Sequence, residues 1–85
     1  MIINVYTVWD NKVEAYLQPF FSPTKGSAIR AFSEVVNDRS HVFGKNPADY
    51  VLFELGSFDD SKGSFNLHAA PVSIGVAVEF VRSVT

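Results

Sequence analysis

A chain of 85 residues points to one domain spanning residues 1–85 with a thin core, because a chain this short buries only about 60 % of the surface its unfolded form exposes. It has no cysteine, which excludes disulfides and zinc-thiolate centres, and its two histidines, His41 and His68, lie far apart with no ligand spacing around them. The net charge of −2 argues against binding by phosphate neutralisation alone, and no apolar run reaches the roughly 18 residues that a membrane span needs.

Residues 2–9, β-branched and aromatic, predict a central strand, mostly apolar on both faces: Ile3, Val5, Thr7 and Trp9 on one, Ile2, Tyr6 and Val8 with Asn4 on the other. Asp10-Asn11-Lys12 is a polar turn. Residues 13–17 alternate again and predict the second arm of a hairpin, which Pro19 confines to an edge or ends. In "SPTKGSAIRAFSEVVND", Thr24 is placed to cap a helix whose Ala28, Ile29, Phe32, Val35 and Val36 repeat at helical spacing, and Asn37 and Asp38 end it. Residues 39–48 read as a loop. Residues 50–55 predict a strand burying Val51, Phe53 and Leu55, and residues 64–68 another burying Phe65 and Leu67. The tail from Pro71 carries both a strand alternation (Val72, Ile74, Val76, Val78, Phe80) and a helical stripe (Ile74, Ala77, Val78, Val81); its β-branched richness favours a strand. The class is α+β: an antiparallel sheet of four to five strands with one helix packed on it, in the order β-β-α-β-β followed by a strand or a short helix.

Two aspartates, Asp59 and Asp60, lie between the last two strands in "DDSKG". Asp caps turn amides and Gly63 accepts a positive φ, so the stretch reads as a hairpin corner. A calcium loop needs acids at alternate positions and a distant Glu, and these acids are adjacent with no such Glu. His41 and His68 have no Ser or Cys nucleophile in a recognisable setting, and the glycines form no phosphate-cradling pattern. The expectation is a protein that is not an enzyme and uses neither cofactor nor metal.

The segment "YLQPFFSPTKG" is richer. Tyr16, Phe20 and Phe21 precede Lys25 and Arg30, and Arg39 and Lys45 follow in the mildly basic middle of the chain. Residues 20–47 carry a net charge of +2, against −1 before them and −3 after. Rings beside cations on a sheet are what a single-stranded nucleic-acid platform uses, at about 1–3 kcal/mol of stacking per base. Read structurally, the same rings anchor the crossing from sheet to helix or fill a dimer seam. With no disulfide or metal to supplement a thin core, self-association, with a dimer favoured, is the leading way to add burial.

The stretches "VYTVWDNKVEAYLQPFF", "KGSAIRAF" and "NPADYVLFELGSFDDSKG" together resemble the small nonstructural protein of the gokushoviruses, single-stranded-DNA phages of the Microviridae. The resemblance runs over roughly residues 5–67. It implies a counterpart of the microvirus C protein, acting in the host bacterial cytoplasm when duplex replication gives way to single-strand synthesis and packaging, and absent from the mature virion. Single-stranded DNA, or a viral replication or procapsid protein, is then the implied partner. No residue roles come with the resemblance.

Overall fold

The structure, a computed structural model, describes residues 1–82; residues 83–85, the end of the ambiguous tail, lie outside it. It is the α+β arrangement expected, an antiparallel five-stranded sheet with one main helix. Strand β1 (Ile2–Asp10) is central. On one side it pairs with two short strands, β2 (Ala15–Tyr16) and β3 (Phe20–Ser22); on the other it pairs with β4 (Tyr50–Asp59), which pairs with the outermost strand β5 (Ser64–Val76).

The predicted second hairpin arm, residues 13–17, is not one strand. Glu14 adopts φ 55° and Val13 belongs to the turn, where the Asp10 carboxylate accepts the Lys12 amide at 2.9 Å. Pairing with β1 resumes at Phe20 after a break at residues 17–19. Two hydrogen bonds close the break: Thr7 Oγ1 donates to the Leu17 carbonyl at 2.7 Å, and the Leu17 amide donates to the Val8 carbonyl at 2.8 Å.

Helix α1 (Lys25–Val36) starts as the sequence predicts. Thr24, in extended backbone, accepts the Ser27 amide at 3.0 Å, and Ser27 Oγ reaches back to the Thr24 amide at 3.3 Å. Ala28, Phe32 and Val36, four residues apart, form its buried stripe. They pack on Tyr6 and Val8 of β1 and Tyr50 and Leu52 of β4, with Ala77 closing the cluster and Phe20, Ile29, Phe43, Ile74 and Phe80 at its margin. At the far end Asn37 ties the tail to the helix, its amide donating to the Phe80 carbonyl at 3.0 Å and accepting the Arg82 amide at 2.8 Å.

Residues 39–48, expected as loop, include a short helix α2 (Val42–Lys45) capped by His41, whose Nδ1 accepts the Phe43 amide, followed by a 3-10 turn at Pro47–Asp49. Phe43 draws this segment onto the core, its ring 4.4 Å from Tyr50 and 5.8 Å from Phe32. The tail satisfies both of its patterns in succession: β5 runs unbroken from Ser64 through Pro71 to Val76, and Ala77–Phe80 is a 3-10 turn. Proline is tolerated inside β5 because the strand lies at the sheet's edge.

Three register shifts interrupt the pairing of the sheet, one of them where β4 pairs Leu52 with Gly75 but Phe53 with Ser73. Between Val5 and Tyr6 the β1–β4 register shifts, and β4 pairs Gly56 with Leu67 but Glu54 with Val72, leaving residues 68–71 opposite Leu55 alone. Gly56 stands at this junction with φ 152°, where a side chain would run into the Asn66 carbonyl of β5.

Candidate functional site

Alternation along β1 sends Tyr6 and Val8 to α1 and Val5, Thr7 and Trp9 to the opposite face. Val5 and Thr7 are buried there by their cross-strand neighbours, but among the described residues no helix lies over that face. Register brings the rings of four other strands onto it: Tyr16 opposite Trp9, Phe53 opposite Thr7, Phe21 opposite Val5, Phe58 opposite Ile3, and Phe65 opposite Phe58.

They form two groups. At one end Tyr16 lies between Trp9 (4.8 Å between ring centres) and Phe53 (5.6 Å, edge-on). At the other, Phe21, Phe58 and Phe65 make a triangle with sides of 5.8, 4.9 and 6.4 Å. Beside the triangle is a shallow depression that Phe21 and Phe65 line together with Val5, Gln18, Pro19, Leu55 and Leu67. The outer members are open to solvent: Tyr16 is 47 % exposed, Phe21 50 %, Phe65 56 % and Leu67 60 %. Aromatic surface this contiguous marks a contact site more than a random scatter of apolar residues does.

Two expectations are corrected here. Phe65 and Leu67 are not buried. Val51, Phe53 and Leu55 do not face the helix; Tyr50 and Leu52 do, and the first three lie half-buried on the open face. All five lie on the face opposite α1, where among the described residues no helix covers the sheet.

The predicted binding residues divide between the two sides of the sheet. Tyr16 and Phe21 are on the open face. Phe20 points the other way and stacks on Tyr6 at 5.7 Å, half-buried at the core's margin. Lys25 begins α1; Arg30 is on its outer surface, 3.5 Å from Glu34; Arg39 follows α1; Lys45 ends α2. These four cations belong to the helical layer on the covered side, so the structure does not gather them around Tyr16 and Phe21. The lysines carried by the turns at the two ends of the open face are Lys12 and Lys62, each with acids beside it.

Asp59 and Asp60 are a hairpin corner. Asp59 accepts the Ser61 hydroxyl at 2.6 Å and the Ser61 amide at 3.0 Å, which hold its carboxyl below the usual carboxylate range. Asp60 pairs with the N-terminal ammonium of Met1 at 2.8 Å and raises that amine's pKa. His41 is occupied as a cap, and His68 Nε2 lies 2.8 Å from Glu54. On the covered face, burial pushes the Tyr6 phenol above its ordinary pKa, and the Tyr6 hydroxyl accepts a hydrogen bond from Asn4.

Trp9, Phe53, Phe58, Phe65 and Leu67 are members of the open face that the sequence reading did not assign to a binding site; it expected Phe53, Phe65 and Leu67 to be buried. Phe58 and Phe65 could have been found from the turn itself, since a corner over residues 60–63 sets residues 58 and 65 opposite one another.

A family model described as Phage ORF5 protein matches residues 3–80, from the first residues of β1 to the closing 3-10 turn, and the chain belongs to that family. No curated protein and no solved structure matches it.

Proposed function

We propose, from membership of a phage protein family, that this chain is the small nonstructural protein of a gokushovirus and that it binds single-stranded DNA on the open face of its sheet. The role is binding, not catalysis. It belongs to the stage at which duplex replication gives way to single-strand synthesis and packaging, as for the microvirus C protein, in the host cytoplasm and outside the mature virion. The observation that carries the reading is the row of half-exposed rings, Tyr16, Phe21 and Phe65, at both ends of one uncovered sheet face. Bases stack on such rings at about 1–3 kcal/mol each without a strongly basic surface. Lys12 and Lys62 at the ends of the face supply few phosphate contacts, so affinity falls only shallowly with salt.

The chain has a single tryptophan, Trp9, packed within one of the two ring groups. Titrating the protein with an unstructured oligonucleotide at low salt therefore changes Trp9 fluorescence if bases stack beside it. Loss of that response in Tyr16→Ala and of affinity in Phe65→Ala supports the proposal. No change in fluorescence or anisotropy at tens of micromolar protein removes it.

The placement of the cations favours a second reading. Lys25, Arg30, Arg39 and Lys45 lie on the covered side, which leaves the open face apolar as a protein-binding face is. In that case it receives an apolar segment of a viral replication or procapsid protein. Lys12→Ala with Lys62→Ala weakens DNA binding and leaves such protein binding unchanged.

A further inference from the structure

The two edges of the sheet are built differently. One consists of β2 and β3, two and three residues long, separated by Pro19 and approached through Glu14 at φ 55°. Strands so short and interrupted offer no continuous row of free amides and carbonyls to a newcomer. The other edge is β5, 13 residues long and, among the described residues, paired only to β4. Natural edge strands of that length are guarded by charge or proline. β5, "SFNLHAAPVSIGV", has no Asp, Glu, Lys or Arg, and its one proline, Pro71, guards only its second half. The first half carries two exposed apolar side chains, Phe65 and Leu67.

We infer that β5 pairs antiparallel with β5 of a second copy of this chain over residues 64–68, about a two-fold axis at Asn66. Self-pairing needs a strand whose opposed residues tolerate each other, and an uncharged segment meets that condition. A two-fold axis normal to the sheet keeps both open faces on one side. Centring it on Asn66 sets Phe65 opposite Leu67 of the second copy, and Leu67 opposite its Phe65, so each exposed apolar side chain gains an apolar cross-strand neighbour. Ser64 then meets His68, and the ladder stops before residues 69–71, where β5 has parted from regular pairing with β4 and Pro71 has no amide to give. The two open faces become one continuous surface with the Phe21-Phe58-Phe65 triangles flanking the axis. The inference stands independently of what binds that surface.

An interface of five residues per chain is small and therefore weak. In sedimentation equilibrium, mass rises with concentration from the 9.4 kDa of one chain toward twice that value. Asn66→Lys places like charges against each other at the axis and returns the mass to one chain, with an unchanged circular dichroism spectrum. Because the chain has no cysteine, single replacements report the register directly. Opposed residues in an antiparallel ladder have Cα atoms about 4.5–5.5 Å apart, within disulfide reach. Asn66→Cys therefore cross-links to a dimer on mild oxidation, faster than Ser64→Cys or Ala69→Cys and much faster than Phe58→Cys on the open face. A single-chain mass at all concentrations up to about 0.5 mM overturns the inference. So does a dimer that survives Asn66→Lys or cross-links best through residue 58.

Discussion

The covered and open faces of the sheet are made from the same strands and nearly the same kinds of residue, yet among the described residues only one has a layer over it. Tyr6 and Leu52 on the covered face are fully buried under Ala28, Phe32 and Val36. One residue along in β1, Val5 and Thr7 turn to the face whose rim holds Tyr16, Phe21, Phe65 and Leu67 in solvent. Length explains why the helical layer stops short. A helix of 12 residues is about 18 Å long at 1.5 Å per residue. A strand of 13 residues is about 43 Å long, and the molecule measures 46 × 27 × 18 Å. α1 therefore serves as a lid for one half of one face. On the open face the side chains left in solvent, Tyr16, Phe21, Phe65 and Leu67, stabilise the fold little and are available for contact.

That comparison breaks most readily at Leu52. Leu52→Ala leaves a void beneath α1 and costs about 3 kcal/mol in urea unfolding, whereas Leu67→Ala on the open face changes stability by less than about 0.5 kcal/mol at low micromolar concentration. Equal losses would mean that the open face is as much core as the other. Gly56 joins the two halves of the hairpin where the register shifts. Gly56→Ala requires a side chain at φ 152° against the Asn66 carbonyl and costs about 2 kcal/mol, with the largest chemical-shift changes in β5 and not in α1. Thr7 is the polar side chain buried on the open side, donating to the Leu17 carbonyl where the β2–β3 edge is interrupted. Thr7→Val keeps the shape, removes that hydrogen bond and costs about 1 kcal/mol, together with faster exchange of the Leu17 amide.

The covered layer was the more legible part of the sequence. Thr24, Asn37 and the four-residue spacing of Ala28, Phe32 and Val36 give the helix its ends and its buried stripe by local chemistry alone. β1 reads as central because both of its faces are apolar. The parity of β4 does not read correctly, because Val51, Phe53 and Leu55 form the more regular apolar series while the helix-facing series ends in Glu54. Apolar alternation identifies a face that water disfavours; it does not say which face has a helix to cover it. The same ambiguity placed Phe65 and Leu67 inside. Lys25 and Arg30 looked adjacent to Tyr16 and Phe21 because they are adjacent in the chain, but β3 turns Phe20 and Phe21 to opposite sides, and the helix that follows lies on the side of Phe20.

The smallest effect separates the arm of the hairpin from the helix-covered body. Asp59 is held ionised by the Ser61 hydroxyl and amide, so its folded pKa is below its ordinary 3.8. A carboxyl with a depressed folded pKa adds stability that is complete above the unfolded value and disappears as pH falls through the folded value. The turn therefore loosens in acid, below about pH 4, and loosens again in base above about pH 8, where the Met1 ammonium held by Asp60 loses its proton. Since Asp59 lies in the turn and, among the described residues, the arm beyond Gly56 has no helix over it, the loss remains local. Hydrogen exchange of the Ser61 and Gly63 amides quickens in acid beyond the intrinsic rate change, while exchange at Tyr6 and Leu52 does not. Ser61→Ala raises the pH at which the turn loosens and leaves the core amides as they were. If turn and core amides instead open together, the arm and the covered body are one cooperative unit, and the open face owes its rigidity to α1 after all.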